Sequence, residues 1–370
     1  MADHPINAPR NPTPPLYPGD PAPWFVLASD LVANFPLASL GGNRFVITFV
    51  KSLRTPYGRD LVSALTADPE RFVRQGTGFL IVTADPADLG ATPPEGMKNV
   101  RLLFDREGAA CTLYGAALAN GEFAPKTFII NERLRIAAVL PAEAPGAHAA
   151  RVFQLLDSLK PLRPARRAVP QAPVLIIPDI LEASLCDDLI AGFNQAGGQV
   201  SGFMVERDGK TIEERDSTLK RRSDWHVQDD AMKAACRARM VRRIIPEVQR
   251  AYQFNVNIIE RYLVACYDGE TRGHFAAHRD NTTRGTAHRR FAVSLNLNDD
   301  YEGGYLVFPE FGRTHFKPPK GGACVFSCSL LHEATPVTKG RRFVLVPFLY
   351  DEAAQVIREA NAGYIESRDM

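Results

Sequence analysis

The sequence predicts two domains of different class: an α/β domain, followed by a β-rich domain whose helices pack outside its strands. The length of 370 residues is too great for one typical domain. A proline-rich, basic stretch at 161–173 shows no apolar periodicity, which is typical of a linker. Strand and helix patterns alternate before this linker, whereas many short strands follow it. These observations predict domains at 18–160 and 174–351.

The composition excludes several classes of protein. Hydrophobic residues make up 45% of the chain and charged residues 23%, as in globular proteins and unlike disordered ones. The formal net charge of +2 is too small to indicate a nucleic-acid or membrane partner. The N-terminus lacks the basic-then-apolar pattern of a secretory signal, and no run reaches the ~18 apolar residues of a membrane span. We therefore expect a cytoplasmic protein.

The six cysteines are scattered through the chain without a CxxC pair. In a reducing compartment, cysteines with this distribution are expected to be small buried hydrophobes, not disulfides or a zinc site. Cys324 and Cys328 share a C-x3-C spacing, but they lie in a hydrophobic, strand-like run. We expect no metal there.

The first domain has the pattern of a mixed sheet flanked by helices. Short, continuous apolar runs at 44–50 and 78–85 predict strands buried on both faces. The segment 59–75 between them has helical spacing. The run 126–140 predicts two strands joined by a turn, and 148–159 predicts an amphipathic helix.

The second domain begins with helical patterns and continues as short strands separated by Gly, Pro and Asn-Asp turns. We expect helices at 185–195 and 229–252, and strands at 259–268, 289–298, 303–310, 314–319, 322–328 and 341–351. Dense short strands with such turns are typical of an all-β sandwich or barrel with helices packed outside. Gly303 and Gly304 are expected to form a hairpin turn between two of the strands.

Candidate metal ligands lie in the second domain. His278 and Asp280 are two positions apart in a strand-like stretch, so they project from the same face and can bind one metal together. His332 follows a later strand and supplies a third ligand. Two histidines and one carboxylate leave positions open for a cosubstrate and O2, as in non-haem Fe(II) oxygenases. The H-x-D spacing alone is weak evidence, because such tripeptides also occur by chance.

Arg342 strengthens this interpretation. It opens an otherwise apolar strand ten residues beyond His332, where a charged residue needs a reason. A dicarboxylate cosubstrate that chelates iron through its keto-acid end needs a fixed cation for its far carboxylate, and arginine pairs bidentately with carboxylates. Arg341 is adjacent but faces the opposite side of the strand, so only one of the two can serve.

The second domain resembles the prolyl 4-hydroxylase branch of the 2-oxoglutarate dioxygenases. Its matching motifs are APVLIIPDILEASLCDDLI, RYLVACYDGETRGHFAAHRDN, FAVSLNLNDDYEGGYLVFPEFG and GGACVFSCSLLHEATPVTKGRRFVLVPFLY. The resemblance implies a double-stranded β-helix (jelly roll) that binds Fe(2+), 2-oxoglutarate and O2, with L-ascorbate as a reductant.

The resemblance also implies roles for individual residues. His278, Asp280 and His332 match the catalytic iron ligands, and Arg342 matches the 2-oxoglutarate anchor. Tyr267 matches a tyrosine that lines the cosubstrate pocket. Some relatives carry a second, carboxylate-binding tyrosine where this chain has Asn296, so that contact is expected to be lost or replaced.

Other residues near these motifs have both structural and functional interpretations. His274 is expected to be a half-exposed residue at a strand end, with a supporting role at the metal as the alternative. His288 lies in a loop that could form a substrate lid, although such loops are usually only mobile. Trp225 and His226 could line the substrate entrance or be buried beside the sheet.

The first domain resembles the peroxiredoxin (thioredoxin-like) family. The supporting stretches are PGDPAPWFVL, GGNRFVITFV, GFLIVTAD, RLLFDREGAACTLYGA and APKTFIINERLRIAAVL. Peroxiredoxins attack peroxide with a cysteine in a T-x-x-C turn, where the helix N-terminus lowers the thiol pKa. This chain has Thr55 at the start of the corresponding turn but Gly58 in place of the cysteine, and its only cysteine in this half is Cys111. The domain is therefore expected to be a redox-inactive scaffold.

Three functions remain open from the sequence. The first is hydroxylation of a protein or peptide side chain such as proline, with the N-terminal domain presenting the target or mediating protein contacts or dimerisation. The second is hydroxylation of a small molecule, with the N-terminal domain contributing to assembly. The third is a catalytically silent binding module. A silent relative has no need to retain His278, Asp280, His332 and Arg342 together, which weighs against the third.

Overall fold

The computed structural model describes residues 15–74, 76–93, 99–162, 164–165 and 167–366. The chain divides into two compact units, Met1–Arg166 and Arg167–Met370, and the boundary falls within the predicted linker. The proline-rich N-terminus, as far as residue 14, and the end of the predicted helix at residue 75 lie outside the described residues. Within the described ranges, no helix is both long and apolar enough to cross a membrane.

The N-terminal unit alternates strands and helices along the chain. Its strands are β1 (Val26–Ser29), β2 (Phe35–Pro36), β3 (Arg44–Val50), β4 (Thr77–Thr83), β5 (Val100–Phe104), β6 (Lys126–Ile130) and β7 (Ile136–Pro141). Its α-helices are α1 (Pro56–Thr66), α2 (Pro69–Arg74), α3 (Ala109–Leu113) and α4 (Pro145–Ser158), with 3-10 turns at Leu37–Leu40 and Pro86–Asp88. The predicted strands and the final helix are confirmed. The predicted helix 59–75 is divided between α1 and α2, because Pro69 has no backbone N–H with which to continue α1.

The strands of this unit form one mixed sheet in the order β2-β1-β5-β4-β3-β6-β7. Strands β3, β4 and β5 are parallel to one another, and β6 runs antiparallel to β3. Successive side chains of β3 enter opposite core layers. Phe45, Ile47 and Phe49 pack in the layer that contains α3, and Val46 and Val50 pack in the layer that contains α1 and α4. Burial on both faces explains the continuous apolar runs of the sequence.

The C-terminal unit is dominated by short strands. They are β8 (Leu175–Ile177), β9 (Gln199–Val200), β10 (Phe203–Arg207), β11 (Lys210–Glu214), β12 (Lys220–Arg221), β13 (Ser223–His226), β14 (Ile258–Glu260), β15 (Leu263–Asp268), β16 (His274–His278), β17 (Phe291–Asn296), β18 (Glu302–Gly303), β19 (Leu306–Val307), β20 (Ala323–Ser327), β21 (His332–Ala334), β22 (Val337–Lys339), β23 (Arg341–Leu345), β24 (Phe348–Tyr350) and β25 (Ile365–Glu366). The helices are α5 (Ala183–Ala196), α6 (Asp230–Arg243), α7 (Ile245–Tyr252) and α8 (Glu352–Asn361), with 3-10 turns at Arg284–Thr286, Pro309–Phe311 and Ala362–Tyr364.

Two of the sheets in this unit form a sandwich. The larger has nine strands, with the path β14-β24-β17-β23-β15-β13-β9 and β20 joining β17 to β8; the other has the order β12-β16-β21-β19. Smaller sheets are formed by β10, β11 and β25 and by β18 and β22. Residues of α5, α6 and α7, including Leu189, Met240 and Val248, pack on β15 and β23 of the larger sheet. The predicted β-sandwich with helices packed outside is therefore confirmed.

Several predicted elements of this unit differ in the structure. The helix 229–252 is divided at Ile244, before Pro246, into α6 and α7. The strand 259–268 is interrupted at Arg261, which has a left-handed backbone (φ +53°). The predicted strand 314–319 is reduced to a bridge between Phe316 and Leu306.

The expected hairpin turn at Gly303 and Gly304 is wrong. These residues separate β18 from β19, but β18 pairs with β22 and β19 pairs with β21. Both glycines have positive φ. A Cβ atom on Gly304 would lie 3.0 Å from Cδ of Arg342, so the glycine permits a close approach of the backbone to that side chain.

Candidate metal centre

The antiparallel pairing of β16 and β21 brings the two candidate histidines together. His278 is the last residue of β16 and is paired across the sheet with His332, the first residue of β21. Asp280 follows β16 by two residues, and its backbone N–H donates to the carbonyl of Cys328 at 3.0 Å. That bond fixes the loop after β16 against the chain that leads into β21.

The side chains of these three residues converge on one point. Nε2 of His278 lies 3.6 Å from Oδ1 of Asp280, and Nε2 of His332 lies 3.4 Å from Oδ2. One ligand atom from each residue lies within 4.8 Å of the other two. When ligand atoms each lie about 2.0–2.2 Å from one first-row metal, any two of them are at most about 4.4 Å apart, which is close to the spacing observed here. The structure therefore brings the three residues together, and their role as ligands is a proposal.

Both imidazole rings are oriented by backbone carbonyls. Nδ1 of His278 lies 2.8 Å from the carbonyl of Ala276, and Nδ1 of His332 lies 3.0 Å from the carbonyl of Leu330. A carbonyl can only accept, so each Nδ1 carries the proton and donates, which leaves a lone pair on each Nε2. The ring of Phe275 stacks on His278 with centroids 3.5 Å apart, which further fixes that ring.

The ionisation of the group also suits a cation. Burial lowers the pKa of His332 to about 4, so the imidazole is neutral at neutral pH. Burial alone would raise the pKa of the Asp280 carboxyl, but the two neighbouring imidazoles, in their protonated form, and the guanidinium of Arg289 outweigh it and hold that pKa well below its usual range. Neutral imidazole and ionised carboxylate are the forms in which these side chains bind metals. Two imidazole nitrogens and one carboxylate fit Fe(II) with open positions.

Arg342 is a buried cation in the same cavity. It lies on β23, its residue is 2% exposed, and the guanidinium lies over the ring of Tyr267 at 5.3 Å. Nη2 donates to Oγ of Ser294 at 2.8 Å and to Oδ1 of Asn296 at 3.3 Å. Nε is buried without a hydrogen-bond partner, and no carboxylate of the described residues lies within 4 Å of the guanidinium. A buried cation without a counter-ion is suited to a bound anion.

The neighbouring arginine has a different environment. The side chain of Arg341 is 44% exposed, with Nε 3.7 Å from a carboxylate oxygen of Asp268 and Nη1 donating to Asn194 at 3.2 Å. Of the two arginines, only Arg342 lines the cavity. Asn296 stands where some relatives carry a carboxylate-binding tyrosine. In this chain its side chain accepts a hydrogen bond from Arg342, so it positions the arginine.

A cavity of about 760 Å³ joins these groups. The four-stranded sheet contributes His278 and His332, and the nine-stranded sheet contributes Tyr267 and Arg342. The cavity therefore lies between the two sheets of the sandwich. Pockets that bind small ligands have volumes of about 300–1,000 Å³, so this one is large enough for a cosubstrate and part of a second molecule.

The structure places the remaining candidate residues in different environments. His274 is partly buried, and its ring nitrogens face the carbonyls of Arg272 and Thr218 at 2.9 and 3.0 Å, which makes it a structural residue. His288 itself is 2% exposed and its Nε2 lies 2.9 Å from Glu260, whereas Thr282, Thr286 and Arg289 of the same loop line the cavity, so a lid formed by this loop stays a prediction. Trp225 and His226 both line the cavity, as one of their two interpretations required. All six cysteines are buried, as expected of small hydrophobes.

The sequence interpretation missed a group of charged residues on the cavity wall. Arg222 and Asp224 form a buried ion pair at 2.6 Å, and Arg261 lies near them. Arg222, just before β13, and Asp224, within it, are two positions apart, which is the spacing that identified His278 and Asp280. Applying that rule to the R-S-D-W-H stretch would have found the pair. No local pattern distinguishes Arg261.

Comparison with known proteins finds a family match within this half of the chain. Residues 262–350 match the family model of the 2OG-Fe(II) oxygenase superfamily. The C-terminal unit therefore contains a region similar to the 2OG-Fe(II) oxygenases. The match supports the predicted 2-oxoglutarate-dependent dioxygenase, and the family implies Fe(2+), 2-oxoglutarate and O2 as cofactor, cosubstrate and oxidant.

Relatives of the oxygenase region include PKHD-type hydroxylases. One from Nitrosomonas europaea is 37% identical over 92 residues, which are 22% of this chain and 40% of the relative. Another, from Shewanella frigidimarina, is 38% identical over 65 residues, 17% of this chain and 29% of the relative. The chain spans less than half the length of these two relatives. A solved structure of a prolyl hydroxylase from Trichoplax adhaerens, in complex with a hypoxia inducible factor oxygen degradation domain peptide fragment, is similar with 18% identity and a TM-score of 0.40, covering 50% of this chain and 86% of that chain.

The N-terminal unit matches a second family. Residues 18–139 match the AhpC/TSA family model, in agreement with the predicted peroxiredoxin-like fold. Peroxidoxin BcpB from Mycobacterium tuberculosis is similar with 20% identity and a TM-score of 0.35, covering 39% of this chain and 99% of that chain.

The first turn of α1 has no room for a side chain at Gly58. Thr55 caps this helix: its Oγ1 accepts from the N–H of Gly58 at 3.1 Å and donates to the carbonyl of Ser52 at 2.8 Å. A Cβ atom on Gly58 would lie 2.2 Å from that carbonyl oxygen. Cys111 is fully buried, and burial together with the charge of Asp105 raises the pKa of its thiol. A buried, protonated thiol is a poor nucleophile.

Proposed function

We propose that the chain is an Fe(II)- and 2-oxoglutarate-dependent dioxygenase that hydroxylates a C–H bond of a protein or peptide side chain such as proline. The observation that carries the proposal is the unpaired, buried guanidinium of Arg342 in the same cavity as His278, Asp280 and His332. A metal triad alone would fit many metalloproteins. The added cation selects a cosubstrate with a free carboxylate.

The three ligands would hold iron through Nε2 of each histidine and one oxygen of Asp280. Bound iron would supply the activation of O2, coupled to decarboxylation of 2-oxoglutarate, that oxidises an unreactive C–H bond. The protein contributes the fixed tautomer of each imidazole, an ionised carboxylate and a cavity between two sheets. These groups are ordered before substrate arrives, so little reorganisation is needed during the reaction.

Arg342 and Tyr267 would bind the cosubstrate. Ser294 and Asn296 hold Nη2 of Arg342, which aims the guanidinium without neutralising it. The distal carboxylate of 2-oxoglutarate would therefore meet a full positive charge in a buried site. Tyr267 pairs with Arg342 across β15 and β23, so the phenol lines the same part of the cavity.

The remaining alternatives differ in the substrate, which is either a protein or peptide side chain or a small molecule. The PKHD-type relatives favour a hydroxylase, and the volume of the cavity also suits a small molecule as the second candidate. A silent binding module would not need an unpaired Arg342 beside an intact ligand set. We include L-ascorbate as the reductant that keeps iron in the ferrous state.

The N-terminal unit is proposed to be a redox-inactive domain that binds partners, presents the substrate or mediates dimerisation. Gly58 replaces the expected cysteine, and the backbone closes over the position that its Cβ would need. Six buried cysteines fit a reducing compartment, so a cytoplasmic location is part of the proposal.

Succinate release from 2-oxoglutarate, in the presence of Fe(II) and ascorbate, tests the proposal. The wild-type protein should release succinate, and His278→Ala should reduce the release to background because one ligand is lost. Arg341→Gln is the matched control, since that arginine lies outside the cavity and should leave turnover unchanged. Turnover in His278→Ala equal to that of the wild type would show that the site is wrong. Mass spectrometry of candidate peptides for one added oxygen atom then separates a peptide substrate from a small molecule.

A further inference from the structure

The cavity contains, besides Arg342, a second guanidinium that is at least partly buried and lacks a carboxylate partner among the described residues. Arg222, Arg261 and Arg289 all line it. Arg222 pairs with Asp224 at 2.6 Å, and Arg289 pairs with Glu260 at 2.9 Å. Among these five groups the two ion pairs are balanced, and the guanidinium of Arg261 is left without a carboxylate partner.

The contacts of Arg261 leave its outer nitrogens available. Nε donates to the carbonyl of Val346 at 3.2 Å, and the guanidinium lies over the ring of Phe348 at 4.5 Å. Among the described residues, no carboxylate lies within 4 Å of it and Nη1 and Nη2 make no hydrogen bond. Burial and the charges of Arg289 and Arg222 lower its pKa to about 10, so the group remains cationic at neutral pH.

Two unfavourable features coincide at this residue. A partly buried cation next to two others loses free energy unless an anion compensates it. Its backbone also adopts the left-handed region, at φ +53°, which disfavours residues with a Cβ atom. Features of this kind persist where the surrounding structure and a function maintain them. Water in the cavity would accept hydrogen bonds from Nη1 and Nη2 of Arg261. It would not neutralise the positive charge of the guanidinium.

Arg215, at the cavity rim, is exposed to solvent, so two unpaired guanidinium groups in the interior need an anion, and the cosubstrate accounts for only one of them. A 2-oxoglutarate that chelates iron has one free carboxylate, and Arg342 is positioned for it by Ser294 and Asn296 on β17. Arg261 lies on a different element, in the turn between β14 and β15. A second anion in the cavity must therefore come from the other reactant.

We propose that Arg261 binds an oxyanion, a carboxylate or a phosphate, carried by the molecule that is hydroxylated. This inference rests on the proposed function and narrows its substrate to an acidic molecule, or to a peptide that carries an acidic group close to the hydroxylated side chain. Arg261 would donate through Nη1 and Nη2, while Phe348 and Trp225 offer apolar surface to the rest of the substrate. The ion pairs of Arg222 and Arg289 hold neighbouring guanidinium groups in place, so the site is built before the anion arrives.

Nuclear magnetic resonance relaxation tests this site without knowledge of the substrate. The full chain is loaded with Mn(II) in place of Fe(II) and with saturating 2-oxoglutarate, which occupies Arg342. Carboxyl-labelled ¹³C-acetate and methyl phosphate are then titrated in separate experiments, and paramagnetic broadening of the ¹³C or ³¹P signal reports an anion bound near the metal. The probe that binds more tightly identifies the carboxylate or the phosphate as the preferred group.

The wild-type protein should show saturable broadening with at least one probe. Arg261→Gln should weaken the apparent affinity by about tenfold or more, the effect of losing one charged hydrogen bond. Arg261→Lys should retain much of the binding because it keeps the charge, and Arg341→Gln should retain all of it. The lysine variant also guards against a folding defect as the cause of the loss.

Three results would overturn the site. They are equal probe affinity in Arg261→Gln and wild type, no saturable broadening in a wild-type protein that binds Mn(II) and 2-oxoglutarate, and a loss of 2-oxoglutarate affinity in Arg261→Gln as large as that in Arg342→Met. The last would assign Arg261 to the cosubstrate. A wild-type protein that binds neither Mn(II) nor 2-oxoglutarate would instead refute the proposed function, and the anion site with it.

Discussion

Replacing Arg342 by methionine is the sharpest test of the cosubstrate site. Methionine keeps an unbranched side chain that reaches about as far as Nε of the arginine, so it fills the space beside Gly304. It lacks the charged end of the guanidinium. The hydrogen-bond partners of Nη2, Ser294 and Asn296, are neutral, so the bound carboxylate provides the counter-ion of this buried cation. Truncating one partner of such a buried pair costs about 2–5 kcal/mol. Since about 1.4 kcal/mol corresponds to a factor of ten, the KM for 2-oxoglutarate should rise by about 30-fold to a few thousand-fold.

Two measurements check this prediction. Succinate release at increasing 2-oxoglutarate gives the KM, and calorimetry with the Mn(II)-loaded protein gives the Kd without turnover. Both constants should rise together in Arg342→Met, and neither should change in Arg341→Gln. A change of less than about threefold in Arg342→Met, with Mn(II) still bound, would refute the assignment of this arginine to the cosubstrate.

Three further predictions concern stability. Burial and the charge of Arg222 lower the pKa of Lys220 to about 6, so between about pH 6 and pH 10 the unfolded chain binds more protons and the free energy of unfolding should rise with pH. That rise, of up to about 1.4 kcal/mol per pH unit, should disappear in Lys220→Met, as urea denaturation at several pH values would show. Asp224→Ala should destabilise the C-terminal unit by about 3–5 kcal/mol, because Arg222 is left buried and unpaired; a loss below about 1 kcal/mol in urea denaturation would contradict this. Gly58→Ala should destabilise the N-terminal unit by about 1–3 kcal/mol, since its Cβ would lie 2.2 Å from the carbonyl of Ser52, and an unchanged thermal transition of that unit would contradict the observed backbone.

The parts of the structure that sequence predicted are those set by local pattern. The run RFVITFV has continuous apolar character because β3 is buried on both faces, and that property is visible within seven residues. His278 and Asp280 were found because a two-residue spacing places side chains on one face of a strand. Arg342 was found because it is a charged residue at the head of an apolar strand.

The parts that sequence did not predict depend on contacts between distant segments. Whether an arginine is paired is decided by which carboxylates the fold brings near it, and Arg261 and Arg289 are indistinguishable in the sequence. Gly303 and Gly304 suggested a hairpin, but strand pairing over longer distances assigned β18 and β19 to different partners. Helix ends at 67–69 and 244–246 were missed although prolines marked them, because the apolar periodicity continues across both breaks.

The left-handed backbone at Arg261 favours a different residue for stability than the one that substrate binding requires. Glycine or asparagine would adopt its left-handed conformation more readily, at a saving of about 1 kcal/mol, yet neither carries a positive charge. Mutations selected only for thermal tolerance should therefore accumulate at this position and impair recognition of an acidic substrate. An engineering programme that stabilises the protein should leave this one residue unchanged.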